Sequence, residues 1–224
     1  MKKVLIVHTN IQKYAGTNEA TGLWLGESAE FIDELNQQNI EVDFVSPLGG
    51  FVPLDPRSMK YINKDIMKIY LEKSFVQDGL INTKKPSEIN PSNYHAIYFT
   101  GSHGVMWDFP DNKEIQEIAL AIYENNGYIL SVCHGIAGLL NIKDREGNFL
   151  ISGKRITGFT KTEELLAGKM RTVPFFNQKA AEERKALFQK KRFYKEFAVK
   201  DGRMITGQNP FSVRAVAKLY LEEL

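Results

Sequence analysis

The chain has 224 residues, a length that suits one large α/β domain with a sizeable core. Its 29 Lys and Arg residues against 27 Asp and Glu residues leave a net charge of +2, so the total charge gives no support to a nucleic-acid or membrane partner. The single cysteine excludes an internal disulfide and a structural thiolate zinc site, and it suits a reducing cytoplasm.

Short apolar runs alternate with segments of helical period along the chain. The first run, residues 4–7, predicts a strand, because it is far shorter than the roughly 20 apolar residues of a membrane helix. The further predicted strands are residues 41–46, 96–100, 128–132, 155–157 and 204–206. The predicted helices are residues 20–38, 112–125, 135–140, 180–191 and 211–223. This alternation predicts an α/β fold with a doubly wound, mostly parallel sheet between layers of helices.

Residues 47–95 interrupt the alternation. A loop rich in proline and glycine, residues 47–53, comes first, and the stretch between Asp55 and Ser74 predicts one or two helices. We interpret residues 47–95 as a cap excursion beside the functional site, within a single domain that spans residues 1–224.

The one cysteine directly follows a predicted strand. The uncharged residues 128–132 lead into Cys133-His134-Gly135, and a run of small apolar residues comes next. This order is typical of a nucleophile elbow, in which a sharp turn presents the side chain above the sheet. A helix that begins at Cys133 would also favour its thiolate. A buried cysteine that packs as a small hydrophobe is the alternative.

Glycine-rich turns at neighbouring strand ends would meet Cys133, because functional groups of such sheets gather at the carboxyl ends of the strands. The backbone N–H of His134 is one candidate donor to an oxyanion, and the turn around Gly101 and Ser102 offers a second. His103 lies in the same turn, where a functional and a structural role are equally open.

The sequence offers two candidate acids and an aromatic wall. Glu27 lies in an apolar surround, where burial would favour the neutral carboxyl that can donate a hydrogen bond to a thiolate. A solvated helix glutamate is the alternative there. Trp107 belongs to a rigid aromatic turn that can wall a pocket or pack in the core.

Thr160, Glu163 and Glu164 have the spacing of a helix start. Thr160 can cap the helix with Glu163 as its capping-box partner, which would leave Glu164 free to orient His134. A structural role for both glutamates is the alternative.

Six stretches together resemble the ThiJ/PfpI superfamily, in particular its branch of heat-shock chaperones and glutathione-independent glyoxalases. They are TGLWLGE (21–27), SPLGG with PLDP (46–56), YHAIYFTGSHGVMWDFPDN (94–112), SVCHG (131–135), GKRITGFTKTEE (153–164) and DGRMITGQNP (201–210). The resemblance implies a flavodoxin-like α/β sandwich. It also implies a site in which Cys133 matches the nucleophile, His134 the adjacent histidine, Glu27 the acid that hydrogen-bonds the nucleophile and Glu164 the orienting acid.

The chain departs from the family pattern at two places. The usual Gly-Gly-His-Gly turn reads Gly101-Ser102-His103-Gly104 here, and a serine forced to positive φ would cost about 1 kcal/mol or more. The segment after Glu164 is only loosely similar, which keeps Glu163 open as the third acid.

The resemblance implies an enzyme that needs no cofactor or metal and converts methylglyoxal and other 2-oxoaldehydes to 2-hydroxy acids. Cys133 would form a hemithioacetal, and His134 would move a proton between the two carbonyl carbons. The resemblance further implies a homodimer and unfolded or glycated proteins as additional partners, while the cytoplasmic location rests on the single cysteine. The alternative function is a stress-response holdase chaperone or a cysteine-based redox sensor, and a cysteine peptidase or amidase is the third.

Overall fold

A computed structural model describes residues 2–224. The strands of this part are β1 (Lys3–Val7), β2 (Glu41–Val45), β3 (Ala96–Phe99), β4 (Tyr128–Val132), β5 (Arg155–Ile156), β6 (Leu187–Phe188), β7 (Ala198–Asp201) and β8 (Met204–Gly207). The α-helices are α1 (Leu25–Asn36), α2 (Lys64–Tyr70), α3 (Val105–Asp108), α4 (Lys113–Glu124), α5 (Lys161–Leu166), α6 (Asn177–Glu183) and α7 (Val213–Leu221).

The main sheet formed by the described residues has the strand order β2-β1-β3-β4-β8-β7. Neighbouring strands are parallel except β7 and β8, which pair antiparallel at one edge. The order reverses between β1 and β3, which is the switch point of a flavodoxin-like sheet. The predicted doubly wound α/β fold is therefore confirmed.

The central strands read as continuous apolar runs because both faces of the sheet are covered. One buried cluster lies between the sheet and α1, α2 and α7, and it includes Val4, Tyr98 and Cys133. The other lies between the sheet and α3, α4 and α6, and it includes Leu5, Phe99 and Ile129. Alternate residues of each strand thus supply opposite cores, and the strand ends remain free to carry polar groups.

Three predicted helices differ from the structure. The helix predicted for residues 20–38 begins only at Leu25, because Leu23 pairs its backbone with Pro53 and Asp55. The helix predicted for residues 135–140 is a 3₁₀-helix, Cys133–Gly138. The helix predicted for residues 180–191 ends at Glu183, and β6 follows it to pair with β5.

The segment of residues 47–95 consists of short helices joined by turns and extended stretches. It contains a 3₁₀-helix (Ser58–Tyr61), α2, a π-helix (Phe75–Ile81) and two short 3₁₀ turns, Pro86–Glu88 and Pro91–Asn93. The start of this segment pairs with the extended residues that precede α1. Leu23 N–H donates to Pro53 O over 2.7 Å, and Asp55 N–H donates to Leu23 O over 2.9 Å. These contacts bring Arg57 and the residues after it to the carboxyl end of the sheet. The single-domain description of the chain stays a prediction.

Stability should fall in mild acid because of the buried His8 at the end of β1. Its Nδ1 donates to Gly79 O and its Nε2 accepts from Ser28 Oγ, each over 2.9 Å. Burial lowers the pKa of His8 to about 4, so between pH 6.5 and about 4 the unfolded chain binds a proton that the folded chain does not. The free energy of unfolding should drop across that window, with His8 contributing roughly 3 kcal/mol.

Urea unfolding at pH 7, 5 and 4 measures this slope for the wild type and for His8→Gln, whose side chain does not titrate. We expect a shallower slope in the variant. Equal slopes would show that His8 does not carry the effect.

Candidate active site

Cys133 occupies the turn between β4 and the 3₁₀-helix that follows it. Its φ is 56°, a left-handed conformation that costs energy in a residue with a Cβ. Gly135 allows this turn to pass close to β3, because a Cβ at Gly135 would lie 2.2 Å from Phe99 O. The side chain of Cys133 is buried, with 2% exposure, yet it lines a cavity. This is the geometry of a nucleophile elbow.

The positive φ of Cys133 brings the adjacent histidine back toward the sulfur. His134 Nδ1 lies 3.3 Å from Cys133 Sγ, and His134 Nε2 lies 3.0 Å from Glu164 Oε2. Because an ionised carboxylate only accepts hydrogen bonds, Nε2 carries the proton and Nδ1 presents its lone pair to the thiol. The arrangement allows His134 to take the thiol proton, with Glu164 stabilising the imidazolium that results.

Glu163 has a different environment from Glu164. It forms the predicted capping box with Thr160, which the structure confirms. Its Oε2 accepts from Thr160 N–H and Oγ1–H, and its Oε1 accepts from Tyr194 N–H, Gln208 Nε2 and Asn209 Nδ2. Of the two glutamates, Glu164 is therefore the one placed on His134.

A second histidine shares the same carboxylate. His103 Nε2 lies 2.7 Å from Glu164 Oε1, and the rings of His103 and His134 are 4.2 Å apart. His103 Nδ1 accepts from Arg57 Nη2 over 3.0 Å, and Arg57 is ion-paired with the buried Asp55. A chain of hydrogen bonds thus runs from the segment of residues 47–95 to the elbow.

The protonation states of the residues in this hydrogen-bond network follow from their burial and from their hydrogen-bond and charge partners. Burial, and next the positive charge that His134 carries when it is protonated, lower the pKa of His103 to about 4. Burial would favour a neutral Glu164, but the positive charge of His134 when it is protonated and hydrogen bonds from both histidines hold the pKa of Glu164 at about 2. Glu164 is therefore a carboxylate, and His103 is a neutral donor to it at neutral pH.

Two residues of this hydrogen-bond network, Arg57 and Asp55, were given no role by the sequence analysis. Asp55 lies in the PLDP stretch that carried the family resemblance, and this was the one available signal. Arg57 follows two residues later, in a loop whose fold the sequence pattern does not reveal.

Glu27, on the first turn of α1, is buried beside Cys133. Gly101 N–H donates to Glu27 Oε2 over 2.5 Å, and Oε1 has no partner of hydrogen-bond geometry among residues 2–224. Burial raises the pKa of Glu27 to about 8, and the Cys133 thiol is the neighbour that opposes this shift most. At neutral pH the carboxyl is protonated and can donate toward the sulfur.

The resting thiolate that we expected at Cys133 does not fit the structure. Burial raises the pKa of the Cys133 thiol well above its usual range, and Glu27 adds to the shift, while the backbone N–H of His134 opposes it. The 3₁₀-helix that begins at Cys133 has only six residues and stands in place of the predicted α-helix, so its dipole offers little compensation. The thiol is poised to ionise only as its proton passes to His134.

In the turn expected to supply a second oxyanion donor, Gly101 is already engaged, whereas Ser102 lines the cavity and stays a prediction. Gly101 N–H is engaged with Glu27, and it is not free for a substrate oxygen. Ser102 does adopt the strained backbone, with φ of 94°, and its Oγ donates to Asp55 Oδ2 over 3.0 Å. The hydrogen bond to Asp55 offsets part of the backbone strain and fixes the turn that carries His103.

The cavity above Cys133 has a volume of about 570 Å³. Its polar lining consists of Arg57, Lys60, Ser102, His103, Cys133 and His134. Trp107 does not belong to the lining that the described residues form. It packs edge-to-face on Tyr14 with 5.8 Å between ring centroids, so the expected wall residue is instead Trp24.

His103, His134 and Glu164 are also a group whose donor atoms could hold a metal ion, since one atom from each lies within 4.8 Å of the others. The same atoms form the two hydrogen bonds to the Glu164 carboxylate. Those bonds require the Nε2 protons that a metal would displace, so the present geometry is that of a proton-transfer network.

Comparisons with known proteins agree with the family resemblance. The sequence profile of the DJ-1/PfpI family matches residues 25–223. The glutathione-independent glyoxalase HSP31 of Saccharomyces cerevisiae is 30% identical, over 100% of this chain and 98% of that protein. The solved structure of glyoxalase III from Candida albicans is 28% identical with a TM-score of 0.89, over 99% and 96% of the two chains.

A third similar protein has a name that mentions no glyoxalase activity. The X-ray structure of the Francisella tularensis Rapid Encystment Protein 24 KDa is 36% identical, with a TM-score of 0.95 and coverage of 99% and 98%.

Glu163→Gln should destabilise the protein, because a side-chain amide would place an NH₂ group against hydrogen-bond donors. We expect a loss of about 1–3 kcal/mol in the free energy of unfolding. Glu222→Gln, at an exposed position, is the matched control and should have no effect. Urea unfolding of both variants measures the difference, and equal stabilities would contradict the role given to Glu163.

Glu27→Gln should lower the pH at which Cys133 ionises. Glutamine keeps a neutral donor beside the sulfur but cannot acquire the negative charge that Glu27 gains near pH 8. The rate of alkylation by iodoacetamide, measured from pH 6 to 11, should therefore rise at lower pH in the variant than in the wild type. Coincident profiles would remove Glu27 from the electrostatics of the thiol.

Proposed function

The chain belongs to the DJ-1/PfpI family, and from this premise we propose that it is a glutathione-independent glyoxalase. Its substrates would be methylglyoxal and related 2-oxoaldehydes, and its products the corresponding 2-hydroxy acids. The observation that carries the proposal is Cys133 Sγ, which lies in a cavity 3.3 Å from a ring nitrogen that is oriented by a buried carboxylate. Relatives that align with nearly the whole chain are named as glyoxalases.

The reaction begins with attack of Cys133 Sγ on the aldehyde carbon. His134 Nδ1 accepts the thiol proton as the carbon–sulfur bond forms, and it returns this proton to the former aldehyde oxygen. The product is a hemithioacetal. Because Cys133 supplies the sulfur that glutathione would otherwise provide, no thiol cofactor is consumed.

The hemithioacetal then isomerises by proton transfer. His134 removes the hydrogen of the former aldehyde carbon as a proton, and the neighbouring carbonyl oxygen takes up a proton to give an enediol. The neighbouring carbon then gains a proton while the hydroxyl of the former aldehyde carbon loses one, which gives a 2-hydroxy thioester of Cys133. Water hydrolyses the thioester, which releases the 2-hydroxy acid and the free thiol. The overall reaction is the addition of one water molecule, without net oxidation or reduction.

The surrounding residues support these steps without entering them. Glu164 balances the positive charge that His134 acquires in each transfer, and His103 fixes the other oxygen of the same carboxylate. The neutral carboxyl of Glu27 can donate a hydrogen bond to Cys133 Sγ when the sulfur is negatively charged. The burial of these side chains strengthens each of these interactions.

A glutathione-free assay tests the proposal. Wild-type protein should consume methylglyoxal and release lactate, Cys133→Ala should fall to the background rate, and His134→Ala should lose about 10²–10⁴-fold. Glu164→Gln should lose activity while circular dichroism shows a folded chain. Lactate formation that persists in Cys133→Ala would overturn the mechanism.

A holdase activity is the second candidate, and exposed apolar side chains favour it. Leu48, Phe51 and Leu71 are 73%, 65% and 71% exposed. Suppression of aggregation by such surfaces would survive Cys133→Ala. The raised pKa of the Cys133 thiol counts against a redox sensor, which needs a thiolate at rest.

Further features belong to the proposal as well. We place the protein in the cytoplasm as a homodimer, with glycated proteins as further substrates. The single cysteine favours the reducing compartment. Across residues 2–224, no helix has the length and apolar character needed to cross a membrane.

A further inference from the structure

The cavity is much larger than methylglyoxal. At about 30 Å³ for each water-sized group, the five heavy atoms of methylglyoxal fill at most about 150 Å³. The cavity measures about 570 Å³, a size that suits a substrate with a large group beyond its two carbonyls.

Aromatic rings line the space that methylglyoxal would leave empty. The aromatic lining consists of Trp24, Tyr61, Phe211, Tyr194 and Phe159. Successive rings in this order are 5.5, 6.3, 6.2 and 6.1 Å apart, and the last lies 4.1 Å from the His134 ring. The rings form a continuous wall from the mouth of the cavity to the proposed base. Such a wall suits a flat, aromatic substituent.

The charge of the lining is positive. Arg57 is neutralised by its ion pair with Asp55. Lys60 lines the same cavity, is exposed, and has no ion-pair partner within the described part of the chain. The lining contributed by residues 2–224 holds no aspartate or glutamate. Lys60 is thus an uncompensated cation that faces the substrate space.

The loop that supplies Tyr194 is rich in cations. The exposed residues 190–196 carry four cations, Lys190, Lys191, Arg192 and Lys195, against the single acid Glu196. None of these four cations lines the cavity, so they offer an anionic substrate only a long-range attraction, and Lys60 is the cation that can contact it.

We propose that the preferred substrates are 2-oxoaldehydes with an aromatic substituent that bears an anionic group, and that Lys60 selects them. The inference rests on the proposed glyoxalase function and names its substrate class. The aromatic wall holds the ring, Lys60 pairs with the distal anion, and Cys133 attacks the aldehyde as described above. Methylglyoxal engages only the innermost part of the cavity.

The values of kcat/KM for three substrates separate the effect of the aromatic ring from the effect of the anionic group. The substrates are methylglyoxal, phenylglyoxal and 4-carboxyphenylglyoxal. In the wild type the carboxylated ring should be preferred over phenylglyoxal by about fivefold, the effect of one exposed ion pair. Lys60→Met should reduce this ratio to about one. Lys68→Met, an exposed lysine of α2 outside this cavity, is the matched control and should keep the ratio. Initial rates are corrected with Cys133→Ala, because arylglyoxals also react with arginine.

Phe211→Ala tests the aromatic wall. It should lower kcat/KM for both arylglyoxals relative to methylglyoxal and leave the ratio of the two arylglyoxals unchanged. An equal effect on all three substrates would mean that the ring does not use this wall.

Binding provides a readout that does not need turnover. Trp24 lines the cavity, so tryptophan fluorescence reports the affinities of mandelate and 4-carboxymandelate, which are the product acids. The dicarboxylate should bind about fivefold more tightly in the wild type and equally in Lys60→Met.

The outcomes separate the two proposals. If methylglyoxal is not consumed, the glyoxalase function fails, and the binding comparison still decides on Lys60. If methylglyoxal is consumed but the carboxylated compounds are not preferred, or the preference survives Lys60→Met, the inference about the substrate class is overturned.

Discussion

The site depends on one carboxylate that two histidines share. Glu164 accepts from His134 through one oxygen and from His103 through the other. Two donors to a single buried anion fix both rings. The positive charge of His134 when it is protonated and these two hydrogen bonds hold the pKa of Glu164 at about 2 against the effect of burial. With its Nε2 proton committed to this contact, His134 can present only a lone pair to Cys133.

Distant parts of the chain converge on this carboxylate. The elbow after β4 supplies His134, the turn after β3 supplies His103, and the first turn of α5 supplies Glu164. The segment of residues 47–95 joins through Arg57, which donates to the remaining nitrogen of His103. Because this segment also contributes Lys60 to the cavity, its position couples the orientation of the network to the shape of the substrate space.

The sequence was sufficient for the parallel strands of the main sheet and for most of the site, but it did not reveal the antiparallel edge strand β7. Apolar runs and the glycines around Cys133 predicted the strands and the elbow, and the family resemblance paired His134 with Glu164. The sequence did not reveal Arg57, because its role arises from a loop fixed by backbone pairing of Leu23 with residues 53–55. The state of the thiol was also mispredicted, since burial and helix type are tertiary properties.

The tautomer of His134 is the most direct test of this account. ¹⁵N NMR of histidine-labelled protein at pH 7 distinguishes a protonated Nε2 from a protonated Nδ1, and His134→Ala assigns its signals among those of the four histidines. The account predicts a proton on Nε2 and a bare Nδ1 in the wild type, with this preference weakened in Glu164→Gln. A proton on Nδ1 in the wild type would leave no acceptor for the Cys133 thiol and would contradict the account.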